Sequence, residues 1–164
     1  MKIKLFVLTA LLGSFLGFEI PHTTVIPDNA YGVWQVPALE IDVPLYTSTH
    51  GNGQDVVDRE DAALVRGWGK GKAICDHADS QHGDSFWNVN QMQVGGSAFL
   101  ITADGTTWYR CDMICRVKNT GTGYICTPTG HTVHVQQDDV ICLSCTDEDG
   151  YEWLAYFTCM GEFP

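Results

Sequence analysis

From Val33 onward the chain is a succession of short apolar or alternating runs, each ended by Gly, Asp, Asn or Pro. No run is long enough for an amphipathic helix of ordinary length, so the domain must be built from strands. Leu39-Glu-Ile-Asp-Val43 alternates apolar and polar, and Val43-Pro-Leu-Tyr46 continues as a second extended piece. Thr47–Gln54 reads as a loop, Asp55–Val65 as room for one helical turn, and Lys72–Cys75 as a short strand ending at Asp76-His77. Ser85–Met92 reads as a short helix and Gly95-Gly96 as a turn. Ala98–Thr102 is a strand, and Asp104-Gly105 is a hairpin signal. Thr107–Val117 is a long β-branched and aromatic strand. Tyr124–Thr127 and Thr132–Val135 are strand fragments, Val140–Cys145 is a buried strand, and Tyr151–Met160 is the last. The expectation is one all-β domain over residues 33–164, a sandwich or barrel with antiparallel neighbours.

Two shorter segments precede it. Met1, Lys2 and Lys4 lead into the uncharged run Leu5–Phe18, the pattern of a signal peptide. The run is short for a membrane-spanning helix of about 20 apolar residues. Residues 1–20 are thus expected to be a signal peptide or a short membrane anchor. Residues 21–32, with Pro21, Pro27, Asn29 and Gly32, are expected to be a linker. Both point to an extracytoplasmic protein, secreted or held at the membrane by its N-terminal segment. The chain carries 9 Lys+Arg against 20 Asp+Glu, a net charge of −11. That balance argues against nucleic acid, because phosphate contacts need clustered Lys and Arg.

The seven cysteines are the next constraint. An odd number in an exported chain leaves one thiol unpaired. Cys145 ends a buried strand and opens a polar loop, and so does His77. A thiol and an imidazole on rigid strand ends are suited to nucleophilic chemistry, since a nearby His gives the thiol thiolate character. Read without that role, Cys145 is a disulfide half or a buried apolar thiol, and His77 bonds its Asp neighbours. His82 is the rival base, inside a polar loop. Among the others, Cys111 and Cys115 are four apart on one expected strand, hence on one face, and Cys126 can pair with either. Cys142 and Cys159 fall on two expected neighbours, and Cys75 can be a free thiol. No bridge map follows.

Metal readings are weaker. His131-x-x-His134 with Cys142-x-x-Cys145 has the residue types of a zinc site, but residues three apart on a strand face opposite ways. Asp147, Glu148 and Asp149, with Asp55, Asp58, Glu60 and Asp61, could offer oxygens to calcium, though no EF-hand spacing is present. The same acidic loop would disfavour a thiolate at Cys145 if its charges pointed inward.

Several segments, taken in order, resemble the sortase family. Val36-Pro-Ala-Leu-Glu-Ile-Asp-Val-Pro-Leu-Tyr46 is similar to the opening strands of sortases. Ala73-Ile-Cys-Asp-His77 resembles the strand leading to their catalytic histidine. Phe86-Trp87, Gly95 and Asp104-Gly105 fall where sortases have a helix, a turn and a hairpin. Asp139-Val-Ile-Cys-Leu-Ser-Cys-Thr146 resembles the strand that ends at their nucleophile. The resemblance runs from about Val36 to Met160.

It implies a closed eight-stranded β-barrel with one or two short helices. It also implies cysteine transpeptidase or peptidase chemistry and no cofactor. The implied partners are a peptide sorting signal of a surface protein and an amine acceptor. Cys145 would form a thioester acyl-enzyme and His77 would act as acid and base. Sortases also carry an Arg on the strand after the nucleophile. Here Tyr151–Met160 has neither Arg nor Lys, and Trp153 falls about where the Arg is expected. Trp153 and Tyr151 are the candidates to stand in for it, with Arg110 or Arg116 reaching over from another strand as a further option. The other reading is a sortase fold that has lost catalysis and serves as an extracytoplasmic peptide-binding or structural module.

Overall fold

The computed structural model describes residues 21, 23–50, 53–59, 62–76, 89–144 and 149–162, with the backbone alone at 66–68. The expected N-terminal segment, the helix residues 85–88, His77, His82 and Cys145 lie outside the described residues. Among those described, no helix is long and apolar enough to cross a membrane.

Among the described residues ten strands follow in order: β1 (Gly32–Val36), β2 (Ile41–Thr47), β3 (Ala62–Trp68), β4 (Gly71–Cys75), β5 (Ser97–Thr102), β6 (Gly105–Asn119), β7 (Tyr124–Cys126), β8 (Thr132–Val133), β9 (Val140–Leu143) and β10 (Glu152–Glu162). Their order in the sheet is β10-β9-β4-β3-β2-β1-β5-β6-β7-β8, and β10 also pairs with β6. That last pairing closes eight strands into a barrel and leaves β7–β8 as a hairpin attached to its edge. The ladder is mixed. β2–β3 and β4–β9 are parallel, and the other neighbours are antiparallel.

Two segments differ from the sequence expectation. The Leu39–Val43 alternation is interrupted by a 3₁₀ turn at Pro37–Leu39, with Glu40 in the left-handed region at φ 56°. The turn lets β1 fold back on β2, pairing Val36 with Ile41. The expected helical turn is the short helix α1 (Gln54–Val57), but most of the apolar content after it belongs to β3. Ala62-Ala-Leu-Val65 is apolar on both faces. Leu64 packs in the inner core and Val65 in the outer one, so no alternation marks this strand.

Alternation does explain the rest. On β10, Ala155 and Phe157 turn into the barrel, while Leu154 and Tyr156 turn outward. On β9, Val140 and Cys142 face in, and Ile141 and Leu143 face out. The inner core centres on Trp34, with the Phe157 ring edge-on at 5.3 Å and the Tyr109 ring tilted at 5.4 Å. Trp34 is fully buried. Among the described residues its indole N–H meets no hydrogen-bond acceptor. The outer core forms because the β7–β8 hairpin and Val135 cover Ala73, Ile141, Leu143 and Leu154 from outside.

A β-bulge corrects one expectation. Tyr156 pairs with Met113 and Phe157 with Cys111, so Asp112 is the extra residue. It reverses the facing of the strand, and Cys111 lies in the inner core while Cys115 lies in the outer one. Asp112 itself is held by Arg110 Nε at 2.9 Å and by the Thr158 hydroxyl at 2.5 Å.

Gly71 opens β4 against the segment that leads into β9. A Cβ there would meet the Asp139 and Gln136 carbonyl oxygens and Val135 Cγ1 inside van der Waals contact. Gly71→Ala should therefore destabilise the fold by about 1–3 kcal/mol. Phe157→Ala should cost about 3–5 kcal/mol by opening a cavity beside Trp34. Urea unfolding midpoints of the two variants check both values.

Candidate active site

The parallel pair β4–β9 organises one end of the barrel. Lys72 pairs with Val140, and the register runs on to Cys75 with Leu143. Parallel neighbours lie about 4.8 Å apart, so the two strands end side by side. Asp76 and Ser144 follow them, both buried. His77 and Cys145 are the next residues in sequence, beyond those described. The structure thus brings together the strands that carry the two candidates, and does not describe the candidates themselves.

Ser144 is fixed on both sides. Its N–H donates to the Trp153 carbonyl at 3.0 Å, and its hydroxyl accepts the Trp153 N–H at 3.0 Å. Trp153 is half-buried and packs against the inner core. Its partner across β6–β10 is Arg116. The Arg116 guanidinium lies 4.5 Å from the centre of the Tyr151 ring and donates to Asp149 Oδ2 at 3.1 Å. One of the two arginines considered thus stands beside Trp153 and Tyr151. Arg110 is committed to Asp112.

On the outer face of the same end, Cys75 is half-buried beside the outer core. The Tyr124 phenol shares a hydrogen bond with Glu152, and Asn119 Nδ2 donates to its oxygen at 3.4 Å. Burial first, then Glu152 and Cys75, raise the Tyr124 phenol well above its ordinary value. The Tyr124–Glu152 contact was not legible in the sequence. The two residues are far apart along the chain, and no spacing rule joins a hairpin tyrosine to the first residue of the last strand.

Further along the outer face, Tyr156 donates to Asp139 Oδ2 at 2.6 Å and its oxygen accepts the Gln136 N–H at 3.1 Å. Asp139 Oδ1 accepts the Cys159 N–H at 2.8 Å. This buried carboxylate ties the entry of β9 to β10. Removing one partner of a buried polar group leaves the other unsatisfied, so Tyr156→Phe should cost about 1–3 kcal/mol.

The metal readings find no support in placement. Cys142 is inside the barrel, whereas His131 and His134 are exposed on the β7–β8 side. Among the described residues, no group of three or more His, Cys, Asp or Glu is placed to hold an ion. Asp55 is occupied by the Ser48 hydroxyl and by Thr49 N and Oγ1, which hold its carboxyl well below the usual range. The six described cysteines are all thiols. Cys142 and Cys159 do lie on neighbouring strands, but Cys142 stands opposite Ala155, out of register with Cys159.

The mixed eight-stranded barrel, closed by its sixth and last strands, is a sortase fold. No protein-family model matches the chain, and no curated protein does. Solved structures do. Sortase E1 from Streptomyces coelicolor, with a tripeptide in its active site, superposes with a TM-score of 0.64 at 18% identity. The match covers 86% of this chain and 94% of that one. Sortase C of Streptococcus pneumoniae gives 0.65 at 20% identity, over 84% of this chain and 73% of that one. A lid mutant of sortase A from Corynebacterium diphtheriae gives 0.60 at 15%, over 86% and 74%.

Burial raises Cys111 from 9.0 to about 11, and burial with the nearby Cys126 raises Cys115 to about 12. The folded state holds these protons more tightly than the unfolded state does. Their contribution is complete below pH 9.0, the unfolded value, and declines as pH rises toward the folded values. Under reducing conditions, stability followed by urea unfolding should therefore fall from about pH 9 upward.

Proposed function

We propose that the chain is an exported cysteine transpeptidase or peptidase of the sortase type. The observation that carries this reading is the parallel β4–β9 pairing. It ends the strand before His77 beside the strand before Cys145, on a fold shared with sortases. In this reading the Cys145 thiolate attacks the backbone carbonyl of a peptide sorting signal. The C–N bond breaks, a thioester forms, and His77 protonates the leaving amine. An acceptor amine, or water, then attacks the thioester and frees the thiol. Ser144, bonded twice to Trp153, fixes the strand end that positions the nucleophile. Arg116, drawn to the start of β10 by Tyr151 and Asp149, brings positive charge to that end, which the last strand itself lacks. Residues 1–20 direct export, and the segment from 21 to 31 links them to the barrel, which begins at Gly32.

The raised thiols make a selective test practical. Cys111, Cys115 and Cys142 are buried and held protonated, so they react slowly near neutral pH. A thiol-reactive peptide mimic should label Cys145 first. His77→Ala should slow that labelling about 10²–10⁴-fold, and Cys145→Ala should abolish it. Mass spectrometry of the adduct reads both. Equal labelling of several cysteines, or none at Cys145, would instead favour the catalytically lost binding module.

A further inference from the structure

Among the described residues, the hairpin β7–β8 joins the sheet along β6, where Val117 pairs with Cys126 and Asn119 with Tyr124. Cys115 is two residues before Val117, on the same outward face, and so is the diagonal neighbour of Cys126 across the ladder. Both side chains are buried in the outer core, at 4% and 6% exposure. Cys126 lies close enough to Cys115 to raise that thiol further. Cys111, the other cysteine expected within reach of Cys126, is turned into the barrel by the Asp112 bulge. Beyond Cys126 the chain is pinned again, since Thr127 donates from N and from Oγ1 to the Arg116 carbonyl, each at 2.9 Å. Both residues line a cleft between β6 and the hairpin, with Met113, His131, Val133 and Tyr156. The cleft leads to the pair, and because both side chains are nearly buried their oxidation is slow.

We propose that Cys115 and Cys126 form a reversible disulfide that staples the β7–β8 hairpin to β6. A disulfide oxidant accepts the two electrons. Each thiol gives up its hydrogen, one S–S bond forms between the two residues, and the oxidant's own S–S bond is replaced by two thiols. The inference takes from the proposed function only the export of the chain to a compartment where such bonds persist. The stapled hairpin forms one wall of the outer face that adjoins the ends of β4 and β9. Its redox state therefore sets how firmly that wall is held.

The test uses the full chain, incubated with glutathione disulfide or with a reductant. Remaining thiols are then alkylated in denaturant, and the protein is digested with trypsin and a second protease that separates Cys126 from the later cysteines. The expected result is an unreduced peptide joining Cys115 to Cys126 only in the oxidised sample, with Cys75, Cys111, Cys142 and Cys159 alkylated. The melting temperature should fall by about 5–10 °C on reduction in the parent chain. It should not respond to the reductant in either Cys126→Ala or Cys115→Ala. Alkylation of both residues after oxidation, or a bond from either one to another cysteine, overturns the proposal. The map reads sulfur connectivity alone, so an inactive Cys145 would leave it unaffected.

Discussion

Closure of β10 on β6 is the contact from which the other features follow. It is the longest ladder among the described residues, running from Glu152–Val117 to Glu162–Thr107. Without it the other strands would form an open sheet with Trp34, Tyr109 and Phe157 on one exposed face. With it, that face becomes an interior, and its aromatic rings meet at 5.3–5.4 Å. Closure also removes the free edge that β10 would otherwise present to other chains, leaving β8 at the end of the sheet. The ladder carries two bulges, at Asp112 and Met160, which add the curvature a closed sheet needs.

The second core depends on the first. Once the barrel is closed, the outward residues of β4, β9, β10 and β6 form an apolar patch of their own: Ala73, Ile141, Leu143, Leu154 and Cys115. The β7–β8 hairpin covers it with Tyr124, Cys126 and Val133, and Val135 completes the cover. This explains why β9 is buried on both faces and reads as a continuous apolar run. It also explains the high values of the buried thiols and phenols, which lose water on entering one core or the other.

Much of the architecture was legible in the sequence, because strands with one face in and one face out advertise themselves. The Asp104-Gly105 hairpin, the long strand β6 and the final strand β10 all stand where alternation and turn chemistry place them. The resemblance carried by Val36–Tyr46, Ala73–His77 and Asp139–Thr146 led to the right fold. β3 was missed because both of its faces are buried, which erases the period of two. The facing of Cys111 was missed because a bulge adds a residue that periodicity does not count. At the site, the strands before His77 and Cys145 were legible as strand ends. Their adjacency was not, since nothing local encodes a parallel pairing between distant segments. The neighbours Arg116, Tyr124 and Glu152 come from three different strands, and only the closed barrel gathers them.

The parallel pairing of β4 with β9 has a consequence for the order of events in folding. Parallel strands cannot be joined by a tight turn, and here the whole of β5 to β8 intervenes. Contacts between such distant segments carry a loop-closure cost that must be met before they stabilise anything, so they form late. The early structure is local: the β5–β6 and β3–β4 hairpins and the β1–β2 return. The strand ends that lead to His77 and Cys145 therefore come together only after nearly all of the barrel has assembled. A chain that crosses a membrane unfolded would travel with these two strand ends apart, and would bring them together only on arrival.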